Sequence, residues 1–366
     1  MSTLGIGIIG AGRMGRIRAL SAQAHPSCRV SWVVDSVHER ARALGDEIGV
    51  EWSTDWQSAL MKEGTDAVVV ATTHRHLPAI TTAAVASGKH VFCEKPMARQ
   101  FCEVDAVIAA LEEHPSSSAA PKVVVGYTLR HHPAVQKAWQ IVAAGEIGDL
   151  MYVRGRYGHG GRAGYGQEWR TSPEESGGGE ILDQGVHLID LSRSFLGDFS
   201  RTIGFAKCFH WAKERNAVED NGFMLLATPE EKVAFLHASW TQWKNLFSFE
   251  IFGDGGSVII EGLGGSYGME RLQLIRRQSG SLPSVTEFQY PSQAQGGLDE
   301  VWALEWQAFL DTICPSEIQS LGGRLPAASP SDARAVLATV HKLYQYVKAN
   351  EEYSEDWSPI SKSVQG

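Results

Sequence analysis

The chain has 366 residues, 43 % hydrophobic and 20 % charged, which is too long for one ordinary core and too apolar for a disordered polymer. A formal net charge of −9 gives a nucleic-acid partner no electrostatic support at the level of the whole chain. No apolar run approaches the roughly 20 residues that cross a bilayer, so no membrane partner is expected.

Up to about residue 126, short β-branched runs alternate with helical patterns. The expected strands are Leu4–Ile9, Val30–Val34, Ala67–Ala71, His90–Cys93 and Lys122–Val125. The expected helices between them are Arg13–Ala24, Val37–Ile48, Trp56–Met61, Pro78–Ser87 and Phe101–Glu112, each with apolar residues at helical spacing. Such alternation implies a doubly wound parallel sheet. With Leu4–Ile9 read as a strand, no signal peptide is expected. The stretch His114–Pro121, rich in Ser, Ala and Pro, reads as a surface loop.

After Gly126 the texture changes. A helix is expected over Pro133–Ala144, a strand over Leu150–Arg156, and then a glycine-rich segment over Gly158–Gly166. A second helix follows Gly177–Gly179 and runs to about Leu196. Runs at Gly222–Ala227, Lys232–Trp240, Leu246–Phe252 and Leu272–Arg276 alternate at period two, which predicts an open, mostly antiparallel sheet with one face covered. Helices return at Leu298–Thr312 and Ser331–Ala349, the latter with Ser331 as N-cap. The fold class is therefore α/β: an N-terminal Rossmann sheet over 1–126, and an α+β domain with a large open sheet over 127–353. Residues 354–366 read as a poorly ordered tail. The cysteines (Cys28, Cys93, Cys102, Cys208, Cys314) are odd in number, scattered and without C-x-x-C spacing. They fit reduced thiols in a cytoplasm, with no structural metal or disulfide framework.

Three constellations carry chemistry. The first is Gly10-Ala11-Gly12-Arg13-Met14-Gly15, directly after a strand and opening a helix. Gly10 permits the tight turn, Gly12 lets the backbone approach a pyrophosphate, and Gly15 allows close helix–strand packing. The anion would rest on the helix N-terminus. Asp35, about 20 residues on at the end of the second strand, is the expected ribose acceptor; a helix N-cap is its other reading. A carboxylate there repels a 2′-phosphate, which favours NAD over NADP, and Arg13 and Arg40 are the residues able to offset that repulsion.

The second constellation is Gly88–Pro96, with Lys95 beyond the end of a parallel strand, where open α/β sheets bind ligands. A lysine there can donate to a substrate hydroxyl. The third is Gly177–Asp190. On a helix, Asp183 and His187 stand one turn apart on one face, a pairing suited to proton transfer from an alcohol or to an exposed helix pair. Arg154, Arg156, Arg162 and Arg170 flank the glycine-rich segment, which reads as a mobile lid or a solvated loop. Trp240 and Trp243 suit sugar rings or core contacts.

Together these blocks resemble the glucose-fructose oxidoreductase/inositol dehydrogenase/MocA (Gfo/Idh/MocA) family over nearly the whole chain. The match includes Gly88–Pro96 as its G-K-H-V-x-x-E-K-P segment and Gly177–Asp190 as its G-G-G-x-x-x-D-x-G-x-H-x-x-D segment. The resemblance implies an NAD-dependent oxidoreductase acting on a ring alcohol of a sugar, sugar derivative or cyclitol. Lys95, Asp183 and His187 would line the active site, and Thr72, Thr73, Glu94 and Lys95 would lie near the cofactor. Arg130, Arg162 and Trp169 are the expected substrate contacts, and the open sheet would form a homodimer or homotetramer. A nucleotide-sugar dehydrogenase or reductase, an NAD-dependent glycosidase and a non-catalytic NAD-binding regulator are the rival expectations. One departure stands out: the family's histidine after the fourth strand falls here on Leu77, so His74 and His76 are assigned no role and read as exposed helix-cap residues.

Overall fold

The computed structural model describes residues 3–114, 120–211, 218–291, 299–314 and 323–351. The expected tail at 354–366 lies outside the described residues. The N-terminal sheet has six strands: β1 (Leu4–Ile9), β2 (Cys28–Val34), β3 (Glu51–Ser53), β4 (Ala67–Val70), β5 (His90–Glu94) and β6 (Val123–Gly126). Their order is β3-β2-β1-β4-β5-β6 and every pairing is parallel. The order reverses between β1 and β4, which opens a crevice beyond their carboxyl ends. Helices α1 (Arg13–Ala24), α2 (His38–Ile48), α3 (Trp56–Leu60), α4 (Leu77–Ala86) and α5 (Phe101–Glu112) make the crossovers. Periodicity missed β3, whose three residues are too few to alternate visibly.

After α6 (Pro133–Ala143) comes the long strand β7 (Leu150–Gly158). It enters an eight-stranded sheet with β8 (Arg201–Lys207), β9 (Asn221–Ala227), β10 (Val233–Ser239), β11 (Leu246–Gly253), β12 (Gly256–Glu261), β13 (Glu270–Arg276) and β14 (Ser284–Tyr290). The order is β14-β13-β12-β11-β7-β10-β9-β8, antiparallel except for β7 beside β10. One face packs on helices. The other leaves Ile203, Phe205, Leu225 and Phe235 exposed.

The glycine-rich segment leads into short turns at Tyr165–Gln167 and Trp169–Thr171 and the one-turn helix α7 (Pro173–Ser176). The helix expected after Gly179 forms, but it starts with a π-helical turn, Ile181–Gly185, before α8 (Val186–Leu196). Two helices follow the sheet. In α9 (Glu300–Ile313), Trp306, Phe309 and Ile313 join the core cluster of β1 and α1, so this late helix packs back on the first sheet. The last helix is α10 (Pro330–Glu351). Ser331 lies inside α10 and does not cap it. Ser329 does, exchanging bonds with Asp332 (Ser329 N to Oδ2, 2.9 Å; Asp332 N to Ser329 Oγ, 3.2 Å). Pro330 occupies the first helical position, which moves the cap one residue upstream of it.

Candidate active site

The cofactor crevice is built by backbone. Gly10 has φ 102°, and a Cβ there would lie 2.4 Å from the Ala71 carbonyl oxygen. At Gly15 a Cβ would meet the Gly10 oxygen at 1.7 Å, so helix and strand could not close. A Cβ on Gly12 would meet no described atom within 4 Å; it would occupy the open space over the start of α1. No side chain caps that helix start, which leaves the amides at Arg13 and Met14 available to an anion. Asp35 is buried at the end of β2. Its Oδ2 accepts from the Ala11 amide (2.8 Å) and its Oδ1 from the Val37 amide (2.9 Å) and Arg40 Nε (3.1 Å). An open uncapped helix start beside a fixed carboxylate fits the pyrophosphate and ribose of NAD.

Asp35→Ser is therefore expected to weaken NAD and tighten NADP. It removes the ribose acceptor and the repulsive charge together and frees the Arg40 guanidinium. Titration with both cofactors checks this, and an unchanged NAD to NADP ratio would remove Asp35 from cofactor choice.

Lys95 follows β5, and the Lys95–Pro96 peptide is cis. Its Nζ donates to Asp183 Oδ1 and to the Asp183 carbonyl oxygen, both at 2.6 Å. Two sequence motifs 88 residues apart thus meet at one atom. Arg170 Nε lies 3.3 Å from the other carboxylate oxygen of Asp183. Burial pushes the Asp183 carboxyl up, but Lys95 and Arg170 outweigh it and hold the group well below the usual range. His187 is buried between the rings of Tyr127 (5.7 Å) and Tyr157 (6.0 Å), both edge-on. Its Nδ1 has no hydrogen-bond partner among the described residues. Burial, and then the Lys95 charge, push its pKa well below the ordinary value, so the ring is neutral. The Asp183 carboxylate faces Lys95 and Arg170.

Other expected residues divide. Thr72 lies at the end of β4, and Thr73 Oγ1 donates to Glu175 Oε2 of α7 (2.8 Å). Glu94, expected near the cofactor, is buried at the end of β5. It accepts from Arg18 Nε of α1 (2.7 Å), and Arg18 also pairs with Glu305 of α9 (2.6 Å). Arg130, an expected substrate contact, is buried. It is 3 % exposed and clamps Asp190 through Nε (2.8 Å) and Nη2 (2.6 Å). Arg162 is exposed and pairs with Glu168 at 2.6 Å. Trp169 carries the Arg170 guanidinium over its ring at 4.7 Å. Trp240 is fully buried, whereas Trp243 is exposed with φ 56°.

Two residues were missed. Arg170 stood in the sequence only as one of four lid arginines, and nothing local tied it to Asp183. His74, read as an exposed cap, is 4 % exposed. Its Nδ1 lies 2.8 Å from the Ser176 oxygen and its ring meets Trp169 edge-on at 4.8 Å. The family's histidine position, which falls on Leu77, gave no signal for it, because His74 enters the site through a short 3-10 turn that precedes α4. His76 is exposed, as expected.

Burial, and then the Lys95 charge, push the His74 pKa down to about 3. The unfolded imidazole titrates near 6.5, so between these values the unfolded chain binds the extra proton and the His74 contribution to stability is lost as pH falls. His74→Asn keeps a donor for Ser176 but does not titrate. Relative to wild type it should gain about 2 kcal/mol in unfolding free energy between pH 7 and pH 5. Urea melts at both pH values measure this, and parallel losses in the two proteins would refute it.

Residues 4–118 match the family model described as "Oxidoreductase family, NAD-binding Rossmann fold". Residues 135–259 match "GFO/IDH/MocA C-terminal domain". Levoglucosan dehydrogenase of Pseudarthrobacter phenanthrenivorans is 31 % identical over 211 residues, 55 % of this chain and 53 % of that protein, so the match spans about half of that relative's length. The scyllo-inositol 2-dehydrogenase (NAD(+)) of Bacillus subtilis is 25 % identical over 340 residues, 89 % of each chain. A solved levoglucosan dehydrogenase in complex with NADH and levoglucosan shares the fold, with TM-score 0.81 and 22 % identity over 95 % of this chain and 98 % of that one. Among the described residues no helix is long and apolar enough to cross a membrane, and no group of His, Cys, Asp and Glu could hold a metal ion. The glycine-loop crevice in the first sheet and the Lys95–Asp183 junction with the second domain are thus parts of one recognised architecture, and the chain belongs to the Gfo/Idh/MocA family of NAD-binding oxidoreductases.

Proposed function

We propose that this protein is an NAD-dependent dehydrogenase acting on a ring secondary alcohol, or the corresponding ketone, of a sugar, sugar derivative or cyclitol. The observation that carries this reading is the Lys95 ammonium held 2.6 Å from Asp183 beside a buried neutral His187. The substrate class is supported by relatives named for levoglucosan and scyllo-inositol.

Bound NAD supplies the hydride acceptor. With hydride passing to that acceptor, His187 would take the O–H proton as the carbinol carbon becomes a carbonyl. His187 suits this role because it begins neutral and is flanked by rings that exclude water. Lys95 donates a hydrogen bond to the same oxygen and stabilises its developing charge. Asp183 holds Lys95 in place. Gly10, Gly12, Arg13, Met14, Gly15, Asp35, Thr72 and Thr73 form the cofactor side, and Arg162 and Trp169 border the substrate side. Reduction of NAD across a panel of inositols, hexoses, anhydrosugars and nucleotide sugars tests the proposal. Absence of NADH with every member, from protein that binds NAD, would reject it.

The open sheet face supports a homodimer. Across β8, β9 and β10, Ile203, Leu225 and Phe235 stand in one row and Phe205, Phe223 and His237 in the next. Across β7 and β11 the rows continue as Arg154–Glu250 and Arg156–Ser248. An apolar half beside a charged half suits a second copy related by a twofold axis. Phe205→Glu with Phe235→Glu should halve the mass seen by light scattering, and unchanged mass would refute this interface. Cys28, Cys93, Cys102 and Cys314, none of them in a disulfide, fit a reducing compartment such as the cytoplasm.

A further inference from the structure

His74 takes no part in the chemistry above, yet it is a second imidazole beside the Lys95–Asp183 pair. Lys95 and Asp183 are the charges that act on it most, as they are for His187. Two contacts fix its ring: Nδ1 lies 2.8 Å from the Ser176 carbonyl oxygen, and Trp169 packs edge-on at 4.8 Å. A carbonyl oxygen can only accept, so Nδ1 must carry the proton. The ring is 4 % exposed, and burial and then the Lys95 charge keep it neutral. A neutral imidazole has no second proton, so Nε2 presents a bare lone pair.

That lone pair has no donor in the protein. Among the described residues the bond to Ser176 is the one hydrogen bond His74 makes. Unlike Nδ1 of His187, Nε2 of His74 is not sealed from solvent, so a ligand can reach it. Its position is also rigid. The segment that carries Trp169 and Ser176 is pinned to the first domain, where Thr73 Oγ1 donates to Glu175 (2.8 Å) and Arg99 Nη1 to the Glu174 carbonyl oxygen (2.9 Å). Lys95 and Arg170 can only donate, and both are directed at the Asp183 carboxylate. His74 thus offers a fixed, accessible acceptor among donors whose own acceptor is already taken.

We propose that His74 is a specificity-determining residue, whose Nε2 accepts a hydrogen bond from the hydroxyl on the ring carbon next to the one oxidised. This rests on the dehydrogenase reading and deepens it from a ring alcohol to a free vicinal diol. The same ion pair borders both imidazoles, so a ring with its reacting hydroxyl on His187 brings a neighbouring hydroxyl to His74. An ether, ester, ketone or carboxylate at that neighbouring position has no proton to give. Its lone pairs would face that of Nε2, which selects against it.

The test uses the full chain with NADH bound, titrated calorimetrically with the inositols, hexoses and anhydrosugars of the panel. Two variants separate the two ring nitrogens. His74→Asn places an amide N–H near Nδ1 and keeps the Ser176 bond, but withdraws the acceptor. His74→Gln carries a carbonyl oxygen out to the position of Nε2. For the polyol that wild type binds most tightly, His74→Asn should bind about tenfold more weakly, the scale of one hydrogen bond. His74→Gln should stay within about threefold, and NADH affinity should be unchanged in both. Removing one of the two hydroxyls that flank the oxidised carbon should abolish the difference between wild type and His74→Asn. Equal polyol affinity in wild type and His74→Asn would overturn the proposal, as would no binding of any panel member. The opposite pattern, with His74→Asn intact and His74→Gln impaired, would make the Ser176 bond the whole role of His74. Weakened NADH with unchanged polyol affinity would assign Nε2 to the cofactor and also overturn it. The expected affinity pattern without NAD reduction by any panel member would reject the dehydrogenase reading and retain the contact. Turnover with polyol affinity insensitive to His74→Asn would do the reverse.

Discussion

Lys95→Met should lower single-turnover NAD reduction by roughly 10²–10⁴-fold, because the methionine stem fills the same space but gives the developing alkoxide no donor. From its place at a strand end, Lys95 is expected to matter to turnover far more than to folding. The structure adds a stability effect. Lys95 is one of two cations facing a nearly buried carboxylate, and breaking a buried pair by removing one partner typically costs about 3–5 kcal/mol. Arg170 remains, so the loss should fall toward the lower end. The two roles separate in a double variant. Asp183→Asn added to Lys95→Met removes the orphaned charge and should recover most of the melting temperature without recovering hydride transfer. A double variant that regains turnover along with stability would make Lys95 structural and displace the active site.

His187→Ala is expected to reduce turnover by roughly 10²–10⁴-fold, the usual contribution of a general base, with NADH affinity within a few-fold of wild type. Tyr127 and Tyr157 flank the ring, Lys95 and Arg18 disfavour a charge on it, and Asp183 opposes them. Burial and this positive excess keep His187 neutral well below the ordinary imidazole range. The acid limb of the wild-type oxidation profile should accordingly lie below pH 6.5, where an exposed histidine would place it. Stopped-flow rates and a pH profile check both statements. Folded His187→Ala with near-normal turnover would remove His187 from the mechanism.

Much of this protein was legible from spacing alone. Local periodicity located the parallel strands and their helices to within a few residues, because each element's buried face is set by its own residues. The glycine fingerprint was readable for the same reason: Gly10, Gly12 and Gly15 answer to contacts within a single β–α turn. Short or flat elements escaped. The strand β3 has three residues, and β8, β12 and β14 carry side chains on their open faces that blur a period of two. The Ser331 cap failed because Pro330 takes the first helical position and leaves the cap to Ser329.

The sequence by itself determined the Rossmann sheet and the cofactor loop and singled out Lys95, Asp183 and His187, since their motifs are contiguous. Only the tertiary structure decided what those residues face. Asp183 meets Lys95 and Arg170 across 88 and 13 residues of chain, Glu94 turns to Arg18, and Arg130 is taken by Asp190. His74 is drawn into the site, and Glu180 is buried where the Asp183 and Glu219 carboxylates act on it. These outcomes depend on which charges the folded chain removes from water together. That is a property of packing between distant segments, and no local pattern of residues encodes it.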